Sequence, residues 1–221
     1  MLCFDPNHGH RVPGFNYQGA DKLGREFYEM CQRSNPDFLM AGEGCYDLQS
    51  QYYATYTRAD YWHEPVLRYI DSTVPIACAI IDHNDLNHVN MCLADRYAMS
   101  YEVRNFKGHL SEFPRVMAYG RKVDDLRRRY SDFLWNGEFL DVLGATVSGN
   151  NIRHTVFVNR KNGKKAVVVY NVDTERSNEA KVRIDGSSAP LVMVSPGHLS
   201  PKSFSGSVTL GPQSVVVIME K

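Results

Sequence analysis

At 221 residues the chain exceeds the ordinary size of one domain, roughly 100 to 200 residues, and is long enough for two cores. Charges balance overall, yet residues 1–142 hold 15 Lys+Arg against 20 Asp+Glu, while residues 143–221 hold 10 against 5. So modest and dispersed a split, with no basic-aromatic patch, excludes nucleic acid as the partner and fits a boundary between an acidic front part and a basic back part. No run approaches about 18 apolar residues, so no membrane partner is expected, and a basic-then-apolar leader is missing; as written the chain reads as soluble and cytoplasmic. All five cysteines (Cys3, Cys31, Cys45, Cys78, Cys92) fall in the first 92 residues, odd in number and without a CxxC, which favours buried thiols over disulfides or a metal site.

In chain order, Met1-Leu2-Cys3-Phe4 reads as the end of a buried strand, and an upstream segment is expected to precede it. Leu23, Phe27, Met30 and Cys31 then recur at helical spacing between Ala20 and Ser34, and Asn35-Pro36 ends that helix. Asp37–Gly44 is a short apolar run closing in glycines around Glu43, the pattern of a buried parallel strand. A helix leading directly into such a strand is an αβ unit. Val74–Ile81 repeats the pattern and stops at Asp82-His83-Asn84-Asp85. Only 39 positions separate Glu43 from Asp82, so the strand between them is hard to assign; Val66–Asp71 is the candidate.

Past that cluster, Val89, Cys92, Leu93, Tyr97 and Tyr101 predict a helix, and Val116, Tyr119, Val123, Leu126, Tyr130 and Phe133 predict another from Phe113 to Trp135. Arg127-Arg128-Arg129 falls mainly on its outer side and reads as a solvated face rather than an anion site. After Gly144 the texture becomes β-rich. Strands are predicted at 153–159, 164–172, 180–184, 191–194, 207–210 and 214–219, with Asn162-Gly163 as a tight hairpin turn. The organisation expected is a barrel-like α/β part over residues 1–142 and an antiparallel β domain over residues 143–221.

Carboxylates follow three of the predicted strands: Asp5, Glu43 and the pair Asp82/Asp85. In a parallel barrel all carboxyl ends of strands open on one face, so these side chains would converge. Glycosidic bond cleavage needs two carboxyl groups there, one attacking or activating water and one donating a proton. The order Phe4-Asp5…His8, helix, Asn35–Glu43, then Ile81-Asp82-His83-Asn84-Asp85 resembles the later half of the α-amylase-like and α-galactosidase-like (β/α)8 barrel glycosidases. That resemblance implies a partial TIM-type barrel followed by a β-sandwich, a retaining glycoside hydrolase, a carbohydrate substrate and no cofactor. It implies Asp5 as nucleophile and Glu43 as proton donor. A further acid of the amylase-like group follows an Asn-His pair; the nearest match is His83-Asn84-Asp85, in the order His-Asn. Asp71 is the rival acid on the α-galactosidase-like pattern. His8, Asp82, His83, Asp85, Asp71, Tyr46 and Trp62 are then the expected substrate-binding residues.

Each feature has a plainer reading. Asp5 before Pro6 suits a turn or cap, and Asp82 suits a cap of the following helix. The rings of Tyr46, Tyr52, Tyr53, Tyr56, Tyr61 and Trp62 suit sugar stacking or the packing of a long loop. His8, His10, His83 and His88 with Asp5, Glu43 and Asp85 allow a metal-dependent hydrolase instead, and a non-catalytic carbohydrate-binding protein is the third class. An open half barrel leaves sheet edges to cover, so a homo-oligomer or reliance on a missing segment is expected.

Overall fold

The structure, a computed structural model, describes residues 2–4, 15–38, 40–43, 54–57, 68, 76–80, 86–101 and 109–221. The chain is mixed α/β, with mostly antiparallel sheets. It resolves into two compact units, Met1–Ala79 and Ile80–Lys221. Among the described residues no helix is long and apolar enough to cross a membrane.

In the first unit, β1 (Leu2–Phe4), β2 (Met40–Glu43), β3 (Ala54–Thr57) and β4 (Ile76–Ile80) lie side by side, and each successive pair is parallel. Two expectations need correcting here. The strand following Glu43 is Ala54–Thr57, drawn from the segment read as an aromatic loop, whereas Arg68, in the stretch Val66–Asp71 read as that strand, is helical and buried. The first helix, α1 (Phe15–Ser34), forms as its spacing predicts, but the stripe does not mark a uniformly buried face. Leu23 is 64% exposed and Met30 49%, with Phe27 and Cys31 half-buried.

The second unit opens with α2 (Leu86–Ala94), every residue of which is buried. The expected helix reaching Tyr101 stops short: Arg96 takes a left-handed φ of +56°, and β5 (Ala98–Tyr101) follows. Arg96 Nη1 donates to the carbonyls of Trp135 and Gly137 at 3.3 and 3.0 Å, which holds that turn. Next, α3 (Pro114–Arg129) begins with proline at its first position, where the missing N–H costs nothing. It breaks at Tyr130 (φ −115°, ψ 36°) before the single turn α4 (Ser131–Leu134), so the continuous helix expected to Trp135 is two.

The β-rich remainder supplies β6 (Glu138–Phe139), β7 (Ala145–Ser148), β8 (Ile152–Val158), β9 (Lys165–Asn171), β10 (Asn178–Ile184), β11 (Leu191–Ser195), β12 (His198–Phe204), β13 (Ser207–Leu210) and β14 (Val215–Glu220). They form two antiparallel sheets, in the orders β12-β11-β14-β9-β8-β6 and β13-β10-β7. Val156, Val167, Val169, Val216 and Ile218 of the larger sheet share one buried cluster with Ala180, Val182, Ile184 and Leu210 of the smaller. Strand alternation explains it: on β10 every second residue from Ala180 points inward, while Glu179, Lys181 and Arg183 stay in water. Central β9 is buried along nearly all its length because its other face meets α2 and α4. The hairpin joining β8 to β9 uses a longer loop than an Asn-Gly two-residue turn. Only Gly163 has positive φ (+72°), and the Asn159 carbonyl accepts from Gly163 N–H at 2.8 Å.

Candidate functional site

Backbone register defines the edge at which the candidate acids are expected. Leu2, Cys3 and Phe4 of β1 pair with Met40, Ala41 and Gly42 of β2, all parallel. Glu43, the last residue of β2, pairs with Tyr56 of β3, and Thr57 at the end of β3 pairs with Cys78 of β4. Neighbouring strands run about 4.8 Å apart in the hydrogen-bonding direction, so the carboxyl ends of β1 and β2 stand side by side in one register. Apolar or small residues (Leu2, Cys3, Phe4; Met40, Ala41, Gly42) build both strands.

Of the sequence-predicted site residues, Glu43 is placed as the final residue of β2. Asp5, His8, Tyr46, Trp62, Asp71, Asp82, His83 and Asp85 lie outside the described residues, as does His10. Asp71 loses the argument that singled it out, because the strand it was to terminate is Ala54–Thr57. That placement also draws in two carboxylates the sequence reading passed over. Asp47 is the one acid between β2 and β3, and Asp60 is the first acid after β3. Their signal was present in the chain, hidden by reading the Tyr46–Trp62 segment as a sugar platform or a long loop. His88, offered above as a metal ligand, is a buried residue of α2. Among the described residues no group of three or more His, Cys, Asp or Glu side chains could hold a metal ion.

The perturbed groups among the described residues belong to the second unit, and two of them, Tyr119 and Tyr170, are held inside its packing. Tyr119 Oη donates to Asn90 Oδ1 at 2.6 Å while Asn90 Nδ2 donates to the Gln213 carbonyl at 3.0 Å, and burial pushes the Tyr119 phenol up. Tyr170 is likewise pushed up, first by burial and then by Asp95.

No family model matches this sequence, and no curated protein matches it. Its structural neighbours are glycoside hydrolases. The galactosidase domain of the alpha-galactosidase-sucrose kinase AgaSK aligns over 99% of this chain and 34% of its own, at 14% identity and a TM-score of 0.59. A GH36 alpha-galactosidase, AgaA from Geobacillus stearothermophilus, crystallised with 1-deoxygalactonojirimycin, aligns over 99% and 35% at 13% identity and a TM-score of 0.52. The chain thus spans about a third of the length of each, and at such identities the likeness is one of fold.

Proposed function

We propose that the chain is the later half of a (β/α) barrel glycoside hydrolase, followed from about residue 143 by a β-sandwich, and that it contributes the catalytic carboxylates for hydrolysis of an O-glycosidic bond. The observation that carries this reading is the parallel register of β1 on β2, with Phe4 opposite Gly42. One step further along each strand in sequence stand Asp5 and Glu43. Retaining glycosidases need their two carboxyl groups about 5 to 5.5 Å apart, a separation that adjacent strands favour. The neighbours of similar fold add support, two being alpha-galactosidases by name.

In this mechanism the Asp5 carboxylate attacks the anomeric carbon as Glu43 gives its proton to the departing oxygen, leaving a glycosyl ester on Asp5. Glu43, now ionised, takes a proton from water, whose oxygen displaces Asp5 and restores both groups. Asp82, His83 and Asp85, which follow β4 in sequence, bind sugar hydroxyls together with His8, and the rings of Tyr46 and Trp62 stack on the sugar face.

The test is a screen of aryl glycosides on the protein expressed from its full reading frame, with Asp5→Asn, Glu43→Gln, Asp47→Asn, Asp60→Asn and Asp71→Asn compared on the best substrate. Asp5→Asn and Glu43→Gln should each lower kcat/KM by about a thousandfold or more with unfolding midpoints unchanged. The first-formed sugar anomer, read by NMR, should keep the substrate's configuration. Full turnover in Asp5→Asn ends the nucleophile assignment, and full turnover in Glu43→Gln with loss in Asp47→Asn, Asp60→Asn or Asp71→Asn transfers the acid role.

A further inference from the structure

The arginine run at the end of α3 is not one solvated face. Arg128 Nε pairs with Asp124 Oδ2 at 2.7 Å in solvent and Arg129 is exposed, but Arg127 is only 5% exposed. Its Nη2 donates to the Cys92 carbonyl at 2.6 Å, and its guanidinium carbon lies 5.1 Å from the centre of the Trp135 ring. Its Nε has no hydrogen-bond partner, and no carboxylate is paired with it among the described residues. Removing a cation from water costs several kcal/mol unless a counter-charge compensates, whereas a cation–π contact returns about 0.5 to 2 kcal/mol. Burial accordingly pushes the Arg127 pKa down, against the opposing pull of Cys92, Asp124 and Tyr101.

Arg127, which makes no ion pair among the described residues, borders a cavity of about 560 Å³ in the second unit, within the roughly 300 to 1,000 Å³ typical of small-molecule sites. Tyr101, Arg121 and the 43% exposed Trp135 also line it. Asp124, the one carboxylate on the lining among the described residues, pairs with Arg128 at 2.7 Å and also acts on Arg127. Arg121 is exposed and makes no ion pair among the described residues. Arg127, Arg121 and Asp124 line the same cavity as Tyr101 and act electrostatically on its phenol, the two arginines against Asp124. Gly120 keeps that wall open: a Cβ there would stand 1.6 Å from Tyr101 Oη, so any larger residue would displace the phenol.

We propose that this cavity binds a small organic anion, a carboxylate or phosphate carried on a ring-sized body, with Arg127 and Arg121 as its counter-charges and Trp135 as its apolar wall. The site uses none of the acids assigned to hydrolysis, and its test does not require turnover.

Trp62→Phe leaves Trp135 as the sole tryptophan. Its fluorescence is followed as the full chain is titrated at low salt with glucuronate, glucose 6-phosphate and, as the neutral control, glucose. At least one anion should give a saturable change at least tenfold tighter than glucose, weakening as salt rises. Arg121→Gln in the same background should weaken it tenfold or more with the urea midpoint unchanged. A response to the carboxylate alone or the phosphate alone identifies which group the cavity takes. No response to either anion, an equal response to glucose, or an anion response that Arg121→Gln leaves intact overturns the proposal.

Discussion

Asn171, the last residue of β9, offers a quantitative test of how the second unit is held together. It has no exposed surface. Its Nδ2 donates to the carbonyls of Arg176, Leu210 and Gly211 at 2.8, 3.2 and 3.0 Å. Its Oδ1 accepts from the Asp173 N–H and from Asn178 Nδ2, both at 3.0 Å. One amide therefore ties the β9–β10 connection to the end of β13 in the smaller sheet. Asn171→Leu keeps the bulk and removes every bond. The Leu210 carbonyl, bonded in buried surroundings, costs about 1 to 3 kcal/mol when stranded, and the half-buried partners, which can turn to water, about 0.5 kcal/mol each. The sum is about 3 to 5 kcal/mol. At roughly 3 to 4 °C per kcal/mol for a unit of this size, the melting midpoint should drop by about 10 to 20 °C. Urea unfolding read from Trp135, with Trp62→Phe as background, measures it. A loss below about 1 kcal/mol at unchanged m-value would refute the reasoning. Asn171→Asp should be at least as damaging at neutral pH, because a carboxylate would face carbonyl oxygens, and its deficit should shrink as the pH falls and the group is protonated.

Gly149, between β7 and β8, has a φ of +151°, and a Cβ there would stand 2.3 Å from the Glu179 carbonyl oxygen, which is backbone and cannot turn aside. Gly149→Ala should cost about 3 kcal/mol in urea unfolding, and a neutral result would show that β7 and β10 can separate freely. At alkaline pH three phenols act together: burial, then Cys92 and Asp124, push Tyr101 up to about 12 against Arg127 and Arg121, and burial pushes Tyr119 and Tyr170 higher still. The folded state holds these protons more tightly than the unfolded chain. Stability is therefore intact below about pH 10 and is lost as the pH rises beyond it. Circular dichroism of urea unfolding between about pH 9 and 12 should show that decline, with a shallower slope in Tyr119→Phe; identical slopes would remove Tyr119 as a contributor.

Period-two patterning made β10 legible, because one of its faces is dry, whereas β9 and β14 read as continuous apolar runs. The predicted runs at 180–184, 191–194 and 207–210 coincide with β10, β11 and β13 to within two residues. His198–Phe204 escaped notice since β12 is an edge strand, mostly exposed and carrying Pro201, so it lacks the apolar signal. β3 escaped for the opposite reason: Ala54-Thr55-Tyr56-Thr57 is short, and its one ring, Tyr56, drew attention with its neighbours as a possible sugar platform. For the candidate site, Glu43 at the end of a parallel strand was readable from the glycines flanking it. The choice of its partner acids was not, since that depends on where β3 falls between Glu43 and Asp82.

The position of the unit boundary has a physical explanation in the polar residues of α2. Asn87, His88 and Asn90 are all buried. Asn87 Nδ2 donates to the Val172 carbonyl at 2.8 Å, Asn90 Nδ2 reaches Gln213, and Thr155 Oγ1 of β8 donates back to the Ala94 carbonyl at 2.8 Å. Tyr130, just past α3, reaches the Leu199 carbonyl on edge strand β12 at 2.6 Å. Each bond satisfies a backbone group that helix ends, turns or sheet edges would otherwise leave to water. The change of texture at Gly144 marks a switch from helical to strand periodicity, and these bonds join elements on either side of it within Ile80–Lys221. Side-chain amides have no periodicity to betray their partners, so such long-range bonds are not legible in the sequence.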